Sequence, residues 1–118
     1  MDWNYKTNGR YFFNYTDLGD RTDDIEFKKG KFEGRYHNED SKYLWISHFA
    51  CLGLFRPFAD VFPDFDEFSD VEIDMKQWEG IVKASQDYSG IIQEMISEIN
   101  EWMVQTISEH GCVTVLGV

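Results

Sequence analysis

An α+β fold is predicted for this chain: an antiparallel sheet from N-terminal hairpins, two C-terminal helices packed on one face, and a final strand returning to the sheet. Three observations carry that prediction. Turn-forming dipeptides punctuate aromatic, strand-like segments before residue 50. A helical apolar period runs from about Asp74 to His110. The chain then closes with a β-branched apolar run, Cys112 to Val118. At 118 residues with 42% hydrophobic side chains, residues 1–118 read as one domain large enough to close a core.

The elements follow in order. Asn8-Gly9 lies between Trp3–Thr7 and Arg10–Tyr15, and Asn-Gly takes the positive φ angles of a tight hairpin turn. Lys29-Gly30 is a second turn candidate, which would set Phe27 opposite Phe32 as an aromatic cross-strand pair. Thr16 to Asp20 has loop chemistry. Lys42 to Leu54 reads as a central strand, although periodicity leaves a buried helix open there. Asp74 is placed to cap a helix with Gln77 at its third position, and Ile73 and Trp78 form a hydrophobic staple. That helix runs to about Ser85 and buries Met75, Trp78, Ile81 and Val82. A longer helix spans about Ser89 to His110. Ile92, Met95, Ile96, Ile99, Met103, Thr106 and Ile107 form its inner stripe, while Glu94, Glu98, Glu101, Gln105 and Glu109 form the outer one. Gly111 suits the left-handed residue that ends it.

Charge narrows the function classes. The chain has 22 acidic and 11 basic residues, a net charge of -11. Residues 1–59 are neutral overall; after Ala59 the basic residues are Lys76 and Lys83 alone, so the second half carries all the net charge. Such a surface repels polyanions, which argues against direct nucleic-acid binding and against anionic membranes. The first residues, Met1 to Tyr5, lack the basic and apolar regions of a secretory signal, and a cytoplasmic location is expected. The longest nearly apolar run, Leu44 to Phe55, is shorter than the roughly 20 residues of a membrane span. Cys51 and Cys112 are expected to be buried free thiols.

The segment from Phe55 to Asp74 is the most unusual. Seven acidic residues follow from position 60 with no basic one among them. Phe58, Phe62, Phe65 and Phe68 would share a face if the segment were helical. Aromatic anchors ringed by carboxylates suit a basic protein surface; the same rings packed on the sheet would leave the acids merely solvated. A calcium loop starting at Asp64 fails, because its sixth and twelfth positions hold Ser69 and Met75 in place of glycine and glutamate. His48, Cys51, His110 and Cys112 have zinc-ligand chemistry, but their spacing matches no ribbon or finger. A Cys–His nucleophile would need an electropositive setting, which the acidic second half opposes. No phosphate loop, nucleophile elbow or dinucleotide fingerprint is present. No catalytic residue, metal or cofactor is therefore assigned, and an enzyme is the weaker class.

The order of the second half is Ile73-Asp74, a Trp-containing helix, a long Ile/Glu helix with Glu101-Trp102, then His110-Gly111 and a terminal Val113 to Val118 strand. This order resembles immunity proteins of bacterial polymorphic toxin systems. The resemblance implies a small, acidic, non-enzymatic cytoplasmic protein that blocks the toxic domain of a cognate toxin, often a basic nuclease, as in contact-dependent inhibition. The charge fits such a role independently, since a carboxylate-rich face complements a cleft shaped for a polyanion and speeds encounter. The expected contacts are Asp60, Asp64, Asp66, Glu67 and Asp70 with Phe62 and Phe65 as anchors, and in second place Glu94, Glu98 and Glu101. Two other readings stay open: a small metal-binding or Cys–His enzyme, and a homodimeric adaptor.

Overall fold

The computed structural model describes residues 10–18, 24–63, 65, 70–88 and 90–116. It is an α+β structure. Five short strands form one antiparallel sheet in the order β1-β3-β2-β5-β4. They are β1 (Phe13–Asn14), β2 (Asp24–Lys29), β3 (Lys42–Trp45), β4 (Val71–Ile73) and β5 (Val113–Leu116). The helices are α1 (Tyr15–Leu18), α2 (Ile46–Ala50), α3 (Phe55–Val61), α4 (Met75–Ser85) and α5 (Gly90–His110). No described helix is long and apolar enough to cross a membrane.

The second half follows the sequence pattern closely. Asp74 and Gln77 form a reciprocal capping box, with Gln77 N–H donating to Asp74 Oδ1 at 2.8 Å and Asp74 N–H to Gln77 Oε1 at 2.9 Å. Trp78 and Ile81 are buried, while Met75 and Val82 are half-buried against the same core. Trp78 Nε1 donates to Asn100 Oδ1 at 2.8 Å, tying α4 to α5. All seven predicted inner positions of α5 are buried. Gly111 ends the helix at φ +86°, which a residue without Cβ adopts freely. β5 lies between β2 and β4, so the apolar C-terminal strand is interior to the sheet.

Apart from the Asn8-Gly9 hairpin, the chain up to Phe65 departs from expectation in four places. The Asn8-Gly9 hairpin lies outside the described residues apart from Arg10 to Asn14, which include β1. The Lys29-Gly30 hairpin does not form. Gly30 has φ +74°, but Phe27 is paired with Lys42 and Val115, and Gly30 N–H donates to Cys112 O at 2.9 Å. Residues 31–41 are mostly polar and offer no alternating apolar face to a sheet. Within the segment read as a loop, Tyr15–Leu18 is a single helical turn that buries Leu18. The strand expected over Lys42 to Leu54 stops at Trp45, and α2 then turns His48 and Phe49 inward. A continuous apolar run has no period to separate these states. Finally, α3 ends at Val61, because Phe62 precedes Pro63 and takes an extended backbone, φ -116°. Phe58 is thus helical and buried, whereas Phe62 and Phe65 follow the helix and Phe68 lies outside the described residues.

The main core fills the space between one sheet face and α2 to α5. Ile25, Phe27, Leu44, Ile73, Val113 and Val115 meet Phe49, Phe58, Trp78, Ile81 and the inner stripe of α5. A smaller cluster on the opposite face joins Phe13, Leu18 and Tyr43, with Trp45 half-buried beside them.

Candidate protein-binding surface

The acidic segment leaves the core at the end of α3. Asp60 is exposed, and its Oδ2 accepts the Tyr88 hydroxyl at 2.6 Å, tying α3 to the α4–α5 turn. That hydrogen bond to a carboxylate raises the tyrosine's pKa. α3 sits closely on α4: a Cβ at Gly80 would lie 3.2 Å from Val61 Cγ2. Phe65 is half-buried, with its ring centroid 5.6 Å from that of Phe49 and 6.0 Å from that of Phe58. Phe62 is also half-buried against the core. Both rings therefore hold the segment to the body of the molecule while keeping an exposed edge. Asp70 is exposed just before β4. Asp64, Asp66 and Glu67 lie outside the described residues.

The same side of the sequence supplies further carboxylates. Glu72 on β4, Asp74 and Glu79 on α4, and Asp87 after α4 are all exposed. Among the described residues, none of these four has a Lys or Arg partner within 4.0 Å.

The stripe on α5 divides by use. Glu98 Oε1 accepts Tyr11 N–H at 3.0 Å and its Oε2 accepts Phe12 N–H at 2.8 Å. Glu94 Oε2 accepts the Tyr11 hydroxyl at 2.7 Å, and the neighbouring carboxylates with partial burial push that hydroxyl up to about 12. These two residues clamp the strand-entry segment onto the helix. Glu101 is exposed and makes no hydrogen bond among the described residues.

A polar cluster that sequence reasoning missed lies on the sheet face away from α4 and α5. Glu26, buried in the central strand, accepts four hydrogen bonds. They come from His37 N–H at 2.6 Å, Asn38 N–H at 2.9 Å, Asn38 Nδ2 at 2.9 Å and Ser41 Oγ at 2.6 Å. Tyr43, fully buried, donates its hydroxyl to Asn38 O at 2.5 Å. His37 sits at φ +59°, a left-handed conformation uncommon for a side-chain-bearing residue, and the Glu26 carboxylate holds it there. Asp24 is buried two residues away, and its Oδ1 lies 3.6 Å from His37 Nε2 with no hydrogen-bond partner among the described residues. Alternation in Asp24 to Lys29 reads as an ordinary half-exposed strand. The signal for a second buried face was three charged residues, Asp24, Glu26 and Lys28, in the strand that became central.

The candidate metal ligands do not converge. Cys112 is buried on β5 and Cys51 is exposed, contrary to the expected burial, and both thiols are free. His48 is buried on α2 beside Tyr11, and His110 is exposed at the end of α5. Among the described residues, no three His, Cys, Asp or Glu side chains are placed to share a metal. Burial, then the charge of Glu72, raises the Cys112 pKa, opposite to what a reactive thiolate needs. No family model, curated protein or solved structure matches the chain.

Proposed function

We propose that this chain is an immunity protein of the cytoplasm that binds and neutralises a basic, nuclease-type toxin domain by filling its polyanion cleft. One observation carries the reading: apart from half-buried Glu98, every described acidic residue after Ala59 is exposed. Clustered, exposed carboxylates raise the cost of folding by self-repulsion. A partner of opposite charge offsets that cost. Asp60, Asp64, Asp66, Glu67 and Asp70 are the proposed contacts, together with Glu72 and the exposed edges of Phe62 and Phe65. Of the α5 stripe, Glu101 is free to join them, whereas Glu94 and Glu98 already hold Tyr11 and Phe12.

The test is capture of binding partners from native lysate at low salt, identification of the bound chain, and stopped-flow association with that chain. A basic toxin domain should be bound and its activity blocked, with association slowing as salt rises. Asp60→Asn combined with Asp70→Asn and Glu72→Gln should slow association about tenfold and flatten the salt dependence. Unchanged association of this triple variant would overturn the assigned surface. A captured partner whose activity survives binding would overturn the inhibitory role.

A further inference from the structure

A cleft of about 220 Å³ opens between the segment leading into β1, the start of β3 and the second half of α5. Its walls carry unlike charges on opposite sides. Arg10 and Lys42 lie on the strand side, and Glu98 and Glu101 on the helix side. Among the described residues, none of these cations approaches a carboxylate within 4.0 Å. Lys42 instead donates to the neutral Asn14 Oδ1 at 2.7 Å, and Arg10 is exposed with no side-chain hydrogen bond among the described residues. Burial, followed by the charges of Arg10 and Lys29, lowers the Lys42 pKa, with Glu98 and Asp17 opposing the shift. Both oxygens of Glu98 are engaged by Tyr11 and Phe12, which leaves Glu101 as the open acceptor. The apolar lining comes from Phe12, Ile99 and Trp102.

Opposed charges kept apart over an apolar wall select their occupant. A polyanion meets Glu98 and Glu101, and a simple cation meets Arg10 and Lys42. A zwitterion with an apolar side chain satisfies both rows. The volume sets its size, because sites for drug-sized ligands span roughly 300–1,000 Å³. This cleft holds the equivalent of about seven waters at about 30 Å³ each, the scale of one amino acid. We propose that the cleft binds a free α-amino acid with a large apolar side chain, its carboxylate between Arg10 and Lys42, its ammonium at Glu101 and its side chain on Trp102.

The experiment is a ¹⁵N-amide titration of the full chain with four probes: L-tryptophan, tryptamine, indole-3-propionate and N-acetyl-tryptophanamide. L-tryptophan should produce saturable shifts at the Ile99 to Gln105 amides at millimolar concentration. Removing either charge from the ligand should weaken binding about tenfold. Arg10→Gln should weaken L-tryptophan about tenfold and leave tryptamine unchanged, whereas Glu101→Gln should weaken both L-tryptophan and tryptamine about tenfold and leave indole-3-propionate unchanged. Both side chains are exposed and make no hydrogen bond among the described residues, so neither variant should disturb the fold. Equal affinity for all four probes, or no saturable shift at the cleft with L-tryptophan, would overturn the proposal. The titration is done without a toxin and the toxin test uses the Asp60, Asp70 and Glu72 substitutions, so failure of one reading is distinguishable from failure of the other although both include Glu101.

Discussion

On its helical side the sheet presents Ile25, Phe27, Leu44, Ile73, Val113 and Val115 to α2 through α5. On the other side, the alternate residues of the same strands are Asp24, Glu26, Lys28, Tyr43, Trp45 and Thr114. Both sides are largely closed to water: Phe27 and Tyr43 are fully buried, and Glu26 is only 2% exposed. The first face is held by apolar area and ring packing, and its geometry tolerates small shifts because the hydrophobic effect has no direction. The second is held by directed hydrogen bonds converging on one carboxylate, where loss of an acceptor strands several donors at once. Apolar packing therefore stabilises the whole domain, while the Glu26 network fixes one loop, residues 35–41, in one position.

The two faces should respond differently to truncation. Phe27→Ala removes a ring that meets Phe12 at 5.3 Å and Phe58 at 6.2 Å, edge-on in both cases. It should lower unfolding free energy by about 3–5 kcal/mol in urea denaturation, with amide protection falling throughout α4, α5 and the sheet. A loss under about 1 kcal/mol would mean that the helical face is not the main source of stability.

Glu26→Ala leaves the His37 and Asn38 amides, Asn38 Nδ2 and Ser41 Oγ without their acceptor. The expected loss is about 3 kcal/mol. Hydrogen exchange should show its character: the His37 and Asn38 amides lose protection at once, while α5 amides change only with global stability. Uniform loss along the chain would erase the distinction between the two faces.

The helical face was legible from sequence because its cues are local. The Asp74–Gln77 box, the three-and-four spacing in α5 and Gly111 each act within one or two turns of chain. The second face was not legible, because its cues are long-range pairings. Glu26 meets donors 11 to 15 residues away, and Glu98 meets amides 86 and 87 residues away. No spacing rule reports which carboxylate of a strongly acidic chain will be buried. The candidate surface divides in the same way. Its charge excess was evident from composition, whereas the engagement of Glu94 and Glu98 by Tyr11 and Phe12 depends on tertiary structure. So does the break in the phenylalanine series, although Pro63 was the local clue to it.

The smallest expected effect is also the one that separates the two carboxylates of β2. Among the described residues Glu26 has four donors, but Asp24 Oδ1 has none and faces His37 Nε2 at 3.6 Å. Burial raises the Asp24 pKa, and Glu26 raises it further; proximity to His37 opposes them without reversing the shift. A folded-state pKa above the unfolded one means that the native protein binds this proton more tightly. The resulting stability is full below the ordinary carboxylate range and is lost as pH rises through the raised pKa. Asp24→Asn abolishes this titration, so the variant should gain on the parent as pH climbs out of the carboxylate range, with the difference level by neutrality. Paired urea denaturations from acid to neutral pH would measure it. A variant less stable than the parent at neutral pH would show that His37 supports the Asp24 charge as an ion pair, making the second face partly ionic as well as hydrogen-bonded.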